Sequence, residues 1–317
     1  MKALVWHGDR AMSLDDLPAP EPAADEVVLE VELAGICGSD LHGYRGHPGP
    51  RVPPLVLGHE VVGRVDGTQY TVYPLVACGV CDRCLAGEDN LCASWKLLGL
   101  HRAGVFAEQV AVPRRSLVKL PPGLDPQRAV LAEPLACCVG ALAPHSLDAE
   151  SSLAVFGCGP IGLLAVHLGA RAGARVAAVD PLSERLDIAR KLGATVTVSN
   201  VGDLEPGAAT IALDAAGFES TWRGAIDAVR NGGTVVVLGL GNAEGTFPMA
   251  VLVRRAIALR GQFAYSRADF ATAVDILAEG DLDLDWLSSA ALADGADAFA
   301  NLVDRPSQYT KVILHPA

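Results

Sequence analysis

The chain has 317 residues, half of them hydrophobic and a fifth charged, so whole-chain disorder and fibrous repeats are excluded. That length suggests about two domains, each with a core of its own. The net charge of −12 argues against non-specific binding to nucleic acid or anionic membranes.

In chain order, the first part reads as short strands at Val27–Leu33, Val61–Val65 and Ala107–Val112, separated by Gly, Pro and polar clusters. From about Glu150 strands and helices alternate. Strands are predicted at Leu153–Phe156, Arg175–Val179, Thr195–Val198, Thr210–Asp214, Thr234–Leu238 and Ala256–Arg260. Helices are predicted at Ile161–Ala172, Ser183–Leu192 and Ser220–Val229. This rhythm predicts a parallel sheet covered by helices. After Ser266 come helices at Asp269–Glu279 and near Ala296–Val303, then a strand at Lys311–Leu314 with no further sheet partner in sequence. The tail is expected to return to the first domain. The expected division is 1–145 with 266–317, and 146–265.

Leu153–Ala170 carries no formal charge over 18 residues, yet its glycines and Pro160 fit a strand and helix better than a bilayer span. The opening MKALVWHGDR lacks a charged region before an apolar run, so a cytoplasmic location is expected. The eight cysteines are then expected as thiols or metal ligands.

Four of these cysteines, Cys78, Cys81, Cys84 and Cys92, fall within fifteen residues. Four thiolates at this spacing can surround one Zn²⁺ tetrahedrally with no position left open, which makes the site structural. Gly157-Cys158-Gly159-Pro160-Ile161-Gly162 follows an apolar strand and opens a helix. Its glycines allow a sharp turn, close approach of a pyrophosphate and tight packing of helix on strand. Pro160 suits the first helical turn, and the helix N-terminus offers free N–H groups to the phosphates. Asp180 ends the next strand, eighteen residues beyond Gly162, where a carboxylate suits ribose hydroxyls and repels a 2′-phosphate. NAD is therefore expected over NADP, with Ile161 and Arg185 also near the cofactor. A third cluster, Cys37-Gly-Ser39-Asp40-Leu-His42 followed by Gly58-His59-Glu60, carries zinc-ligand residue types. Two such residues 22 apart do not by themselves specify a site.

Together with Glu133-Pro134-Leu135-Ala136, these motifs occur in an order that resembles the zinc-dependent medium-chain dehydrogenases, nearest their sorbitol and threonine dehydrogenase branch. The resemblance implies a discontinuous, β-rich GroES-like catalytic domain and a doubly wound Rossmann domain that binds NAD. It implies a catalytic zinc on Cys37, His59 and Glu133, with Glu60 a nearby or exchangeable carboxylate; Cys137 or Cys138 is an alternative third ligand. It also implies that Asp40 orients His59, that Ser39 relays a proton and that His42 is the outer base. A thiolate and a carboxylate would neutralise the ion and moderate its Lewis acidity.

The expected reaction is hydride transfer from a secondary alcohol, such as a polyol, sugar or cyclitol hydroxyl, to NAD. Two zinc ions per chain and a homodimer or homotetramer are expected. The alternatives are a carbonyl or imine reductase working in the opposite direction and a non-catalytic NAD-binding protein. Many polyol dehydrogenases carry Phe-Arg-Tyr where this chain has Phe263-Ala264-Tyr265, which removes a guanidinium that could hold a sugar hydroxyl.

Overall fold

In strand Glu26–Gly35 the side chains of Val27, Leu29, Val31 and Leu33 are buried while Glu30 is exposed, the period of two that a half-buried strand requires. The computed structural model, which describes residues 1–47 and 49–316, builds a seven-stranded sheet around this strand. It pairs antiparallel with Glu60–Val65, Gln109–Pro113 and Lys311–His315. The C-terminal strand therefore lies directly beside the strand that ends at Gly35. In the register with Glu60–Val65, Gly35 faces Glu60, and a Cβ on Gly35 would collide with the Glu60 carboxylate. Phe106, Phe299, Leu4, Leu29 and Val112 lie in the core beneath.

Lys311–His315 also pairs in parallel with Leu287–Ala291, a strand that the sequence reading leaves out. Leu-Ser-Ser-Ala-Ala contains no β-branched or aromatic residue, and its position is fixed by its neighbour more than by its own propensity. Ser266 caps the following helix, Arg267–Ala278, in a reciprocal capping box with Asp269.

The chain divides into two units, Met1–Pro134 with Ser266–Ala317, and Leu135–Tyr265. The first division falls within helix Ala132–Leu142, ahead of the boundary expected at residue 145. The second unit holds six parallel strands in spatial order Val196–Val198, Arg175–Val179, Ser152–Phe156, Ala209–Asp214, Val229–Val237 and Ala258–Gly261. Numbered along the chain this is the order 3-2-1-4-5-6 of a doubly wound sheet, which reverses direction beside its first strand. Every residue of Ser152–Phe156 is buried, as expected for a central parallel strand. The uncharged run from 153 to 170 thus becomes this strand, a glycine loop and helix Pro160–Arg171. Among the described residues no helix is long and apolar enough to cross a membrane.

The glycine loop sits where the sheet reverses. Gly157 adopts φ +90°, and a Cβ there would press on Ala216. A Cβ on Gly162 would collide with the Gly157 carbonyl, whereas one on Gly159 would meet open space. Gly162→Ala is therefore expected to cost about 1–3 kcal/mol of stability. Urea denaturation measures this; an unchanged midpoint would contradict the tight contact.

Candidate active site and metal centres

Cys78, Cys81, Cys84 and Cys92 bring their four Sγ atoms within 4.8 Å of one another. Cys81 and Cys84 are 3.5 Å apart and Cys78 and Cys84 3.8 Å, far beyond a disulfide bond. A tetrahedral ion with Zn–S near 2.3 Å separates its sulfurs by about 3.8 Å, so the cluster has the right size for zinc. Helix Asp82–Leu85 carries Cys84, and Cys84 Sγ accepts the Gly79 N–H at 3.3 Å. Backbone N–H groups of Val80 and Cys81 lower the pKa of Cys78 to about 6, while burial and the neighbouring thiols raise Cys84 to about 12. Four crowded thiols cannot all ionise together, and a divalent cation removes that conflict.

The second centre forms where the strand ending at Gly35 runs into helix Gly38–Tyr44. Cys37 stands at the N-cap and Asp40 in the first turn, where its carboxylate accepts the Cys37 N–H at 3.1 Å. The other Asp40 oxygen accepts the Gly58 N–H at 3.3 Å and lies 3.8 Å from His59 Nδ1. Asp40 is wholly buried, so it joins the two motifs at their backbone. Gly58 needs its φ of +93° and its lack of a side chain, because a Cβ would strike the Phe106 ring.

Ligand atoms of Cys37, His59 and Glu60 lie within 4.8 Å of one another. Glu133 is outside this trio but buried, and its charge acts on His59. Burial opposes protonation of His59, yet Asp40, Cys37 and Glu133 raise its pKa from 6.5 to about 10. A metal ion binding here displaces that proton, so its affinity falls as the pH is lowered.

Three buried polar atoms at the centre have no hydrogen-bond partner in the protein: Ser39 Oγ, His59 Nδ1 and Glu60 Oε1. Buried polar atoms are normally satisfied, and this clustering suits a metal ion and a hydroxylic ligand. Glu60 Oε2 is engaged instead by Lys311, whose ammonium also donates to the Ile36 carbonyl at 2.9 Å. Both side chains of this ion pair are at most 1% exposed. His42, on the same helix, is half-buried. Burial, Arg45, His47 and Arg51 depress its pKa, leaving it neutral at pH 7 and able to accept a proton.

In the second unit, Gly159 caps helix Pro160–Arg171 with Pro160 in its first turn. Asp180 is buried and already occupied: it accepts the N–H of Cys158 at 2.7 Å and that of Leu182 at 2.9 Å. Arg185 lies 3.7 Å from the same carboxylate. Asp180 thus braces the glycine loop, a role the sequence reading did not assign. A carboxylate has about four lone-pair sites, so acceptor capacity remains for a ribose. Ile161 stands in the first helical turn, where its carbonyl accepts the Cys138 thiol at 3.1 Å.

Residues 23–122 match the alcohol dehydrogenase GroES-like domain, and residues 160–279 match the zinc-binding dehydrogenase domain. The chain is 30% identical to sorbitol dehydrogenase of Bacillus subtilis strain 168, across 100% of this chain and 97% of that protein. It is 39% identical to L-threonine 3-dehydrogenase of Bacillus velezensis over 215 residues, 63% of this chain and 62% of that one. Alcohol dehydrogenase TADH from Thermus sp. ATN1 superposes with a TM-score of 0.92 at 30% identity, across 100% of both chains. The chain belongs to the zinc-dependent medium-chain alcohol dehydrogenase family. It is a zinc-dependent oxidoreductase of alcohols.

Lys311 and Arg51 have no place in the motifs read from sequence, and both prove to be buried cations at this centre. A lone lysine inside the apolar run Lys311–Leu314 was the available signal for the first.

Proposed function

We propose that the enzyme oxidises a secondary alcohol, a hydroxyl of a polyol, sugar, cyclitol or hydroxy amino acid, with the discontinuous unit Met1–Pro134 and Ser266–Ala317 as catalytic domain and Leu135–Tyr265 as NAD-binding domain. It holds two zinc ions, one on Cys78, Cys81, Cys84 and Cys92 and the other on Cys37, His59 and Glu133. Zinc at the second site supplies Lewis acidity toward the alcohol oxygen, and NAD supplies the hydride acceptor. Asp40 holds His59 in place. Glu60, neutralised by Lys311, stays beside the site as a reserve carboxylate.

The observation that carries this reading is the buried, unpartnered hydroxyl of Ser39, two residues from Cys37. Ser39 Oγ accepts the proton of the substrate hydroxyl while it releases its own, which passes on toward neutral His42, three residues along the helix, and solvent. The positions of Gly157, Gly159, Pro160 and Gly162 support a diphosphate held at the helix N-terminus. The test is NADH formation by zinc-replete protein over polyols, cyclitols, threonine and simple alcohols. Turnover on a polyhydroxy or hydroxy amino acid substrate, lost with chelator, is expected; turnover on simple primary alcohols alone would contradict the substrate class.

Asp180 supports NAD in preference to NADP, with Arg185 alongside. Asp180→Ala is expected to weaken NAD binding and reduce the preference over NADP about tenfold, because the carboxylate that repels the 2′-phosphate is removed. An unaltered ratio of kcat/KM for the two cofactors would take Asp180 off the ribose.

A homodimer or homotetramer is supported by the outer strand Ala258–Gly261, which pairs on one side only among the described residues, with Leu259, Val253 and Met249 exposed nearby. Sedimentation as a monomer would contradict it. Eight unbridged cysteines support a cytoplasmic location; disulfides in protein isolated from the native cell would contradict it.

A further inference from the structure

Arg51 lies among prolines and glycines, yet its side chain is only 5% exposed. A guanidinium is not buried without partners that justify its loss of water. Nε donates to the Gly99 carbonyl at 3.2 Å, and Nη2 stands 3.7 Å from Asp40 Oδ1. Both contacts lead to His59. The same Asp40 oxygen faces His59 Nδ1 and accepts the N–H of Gly58, while the other accepts the N–H of Cys37. Gly99, at φ +70°, is packed against the backbone of Gly58, and a Cβ on Gly99 would strike it. Gly43 leaves room for the arginine stem, since a Cβ there would stand 3.1 Å from Arg51 Cδ.

We propose that Arg51 is a positioning residue for the metal ligands Cys37 and His59, holding the Asp40 carboxylate from one side and the Gly99–Gly58 contact from the other. The planar fork of arginine reaches both partners at once, which the single ammonium of a lysine does not. Without Arg51, Asp40 is a buried carboxylate lacking this neighbouring cation, and the backbone before His59 loses a support. The inference rests on the reading that Cys37 and His59 hold a zinc ion.

The test uses the full-length, zinc-loaded protein as wild type, Arg51→Met and Arg51→Lys. Zinc affinity is measured by competition with a chromogenic chelator, and cobalt-substituted protein reports ligand geometry by its absorption bands. Arg51→Met is expected to weaken zinc at the Cys37–His59 site about 10- to 100-fold and shift the cobalt bands, with the four-cysteine ion unaffected. Arg51→Lys is expected to lie between wild type and Arg51→Met, because the charge beside Asp40 returns without the second contact. Wild-type affinity and unshifted bands in Arg51→Met would overturn the proposal. Equal weakening of both zinc ions, or no gain from lysine over methionine, would overturn it in favour of general support of the fold. If Arg51→Met fails to fold, Arg51→Lys decides: wild-type zinc affinity and bands would overturn the proposal, and weakening confined to the Cys37–His59 site would support it. A wild type with no zinc beyond the four-cysteine ion would overturn the metal-site reading and, with it, this proposal.

Discussion

Ser39→Ala is expected to lower kcat for alcohol oxidation about 100- to 10,000-fold, the range for loss of a positioned proton-transfer group. The side chain loses one oxygen that has no other partner in the protein, so the fold is not weakened through a broken hydrogen bond. NADH affinity should remain at the wild-type level, since the change lies on the Met1–Pro134 unit and the dinucleotide loop on the other. Ser39→Thr keeps the hydroxyl and should retain more activity than Ser39→Ala. His42 adds a pH signature. Burial and the nearby Arg45, His47 and Arg51 hold its pKa below 6.5, so it is deprotonated and competent above that depressed value. The oxidation rate should fall only as the pH drops through it, on a limb that His42→Ala removes. Wild-type kcat in Ser39→Ala would take the hydroxyl out of the reaction.

Lys311→Met is the second large effect. Breaking a buried ion pair by removing one partner costs about 3–5 kcal/mol, because the remaining charge is buried without its counterion. Lys311 and Glu60 fit that description, each at most 1% exposed. The consequence extends to chemistry, since Glu60 shares a 4.8 Å cluster with Cys37 and His59. Freed from the ammonium, its carboxylate competes for the metal position, and kcat falls along with stability. Lys311→Met/Glu60→Gln removes the orphaned charge and should recover most of the lost stability. Urea denaturation of the two variants measures this. A single mutant within about 0.5 kcal/mol of wild type would show that the pair contributes little.

The sequence carried the parts of this site whose meaning is local. Four cysteines within fifteen residues, and glycines at fixed offsets after an apolar strand, have few other uses, and the structure gives both the expected backbone. Strands with clear patterning, such as Glu26–Gly35 and Ser152–Phe156, were legible for the same reason. Residues whose role depends on a distant partner were not. Lys311 acquires its meaning from Glu60, 251 positions away, and strand Leu287–Ala291 from the strand it joins. Arg51 belongs to no motif, and only folding sets it against Asp40. The distribution of roles between Glu60 and Glu133 is a packing question of the same kind: sequence favoured Glu133, whereas the compact trio contains Glu60. Asp180 likewise has its expected position at the end of a strand, but its bonds to Cys158 and Leu182 come from loop geometry.

The zinc ion proposed on Cys37 and His59, on which activity depends, is separate from the ion in the four-cysteine cluster. Metal content and turnover of wild type and Cys37→Ser, measured on the same preparations by elemental mass spectrometry and NADH formation, test it most directly. Two zinc ions per wild-type chain are expected. Cys37→Ser should keep one and lose about 1,000-fold or more in kcat/KM, the equivalent of about 4 kcal/mol of lost Lewis-acid stabilisation. Full activity in a Cys37→Ser protein that retains a single zinc would show that the reaction needs no zinc on Cys37.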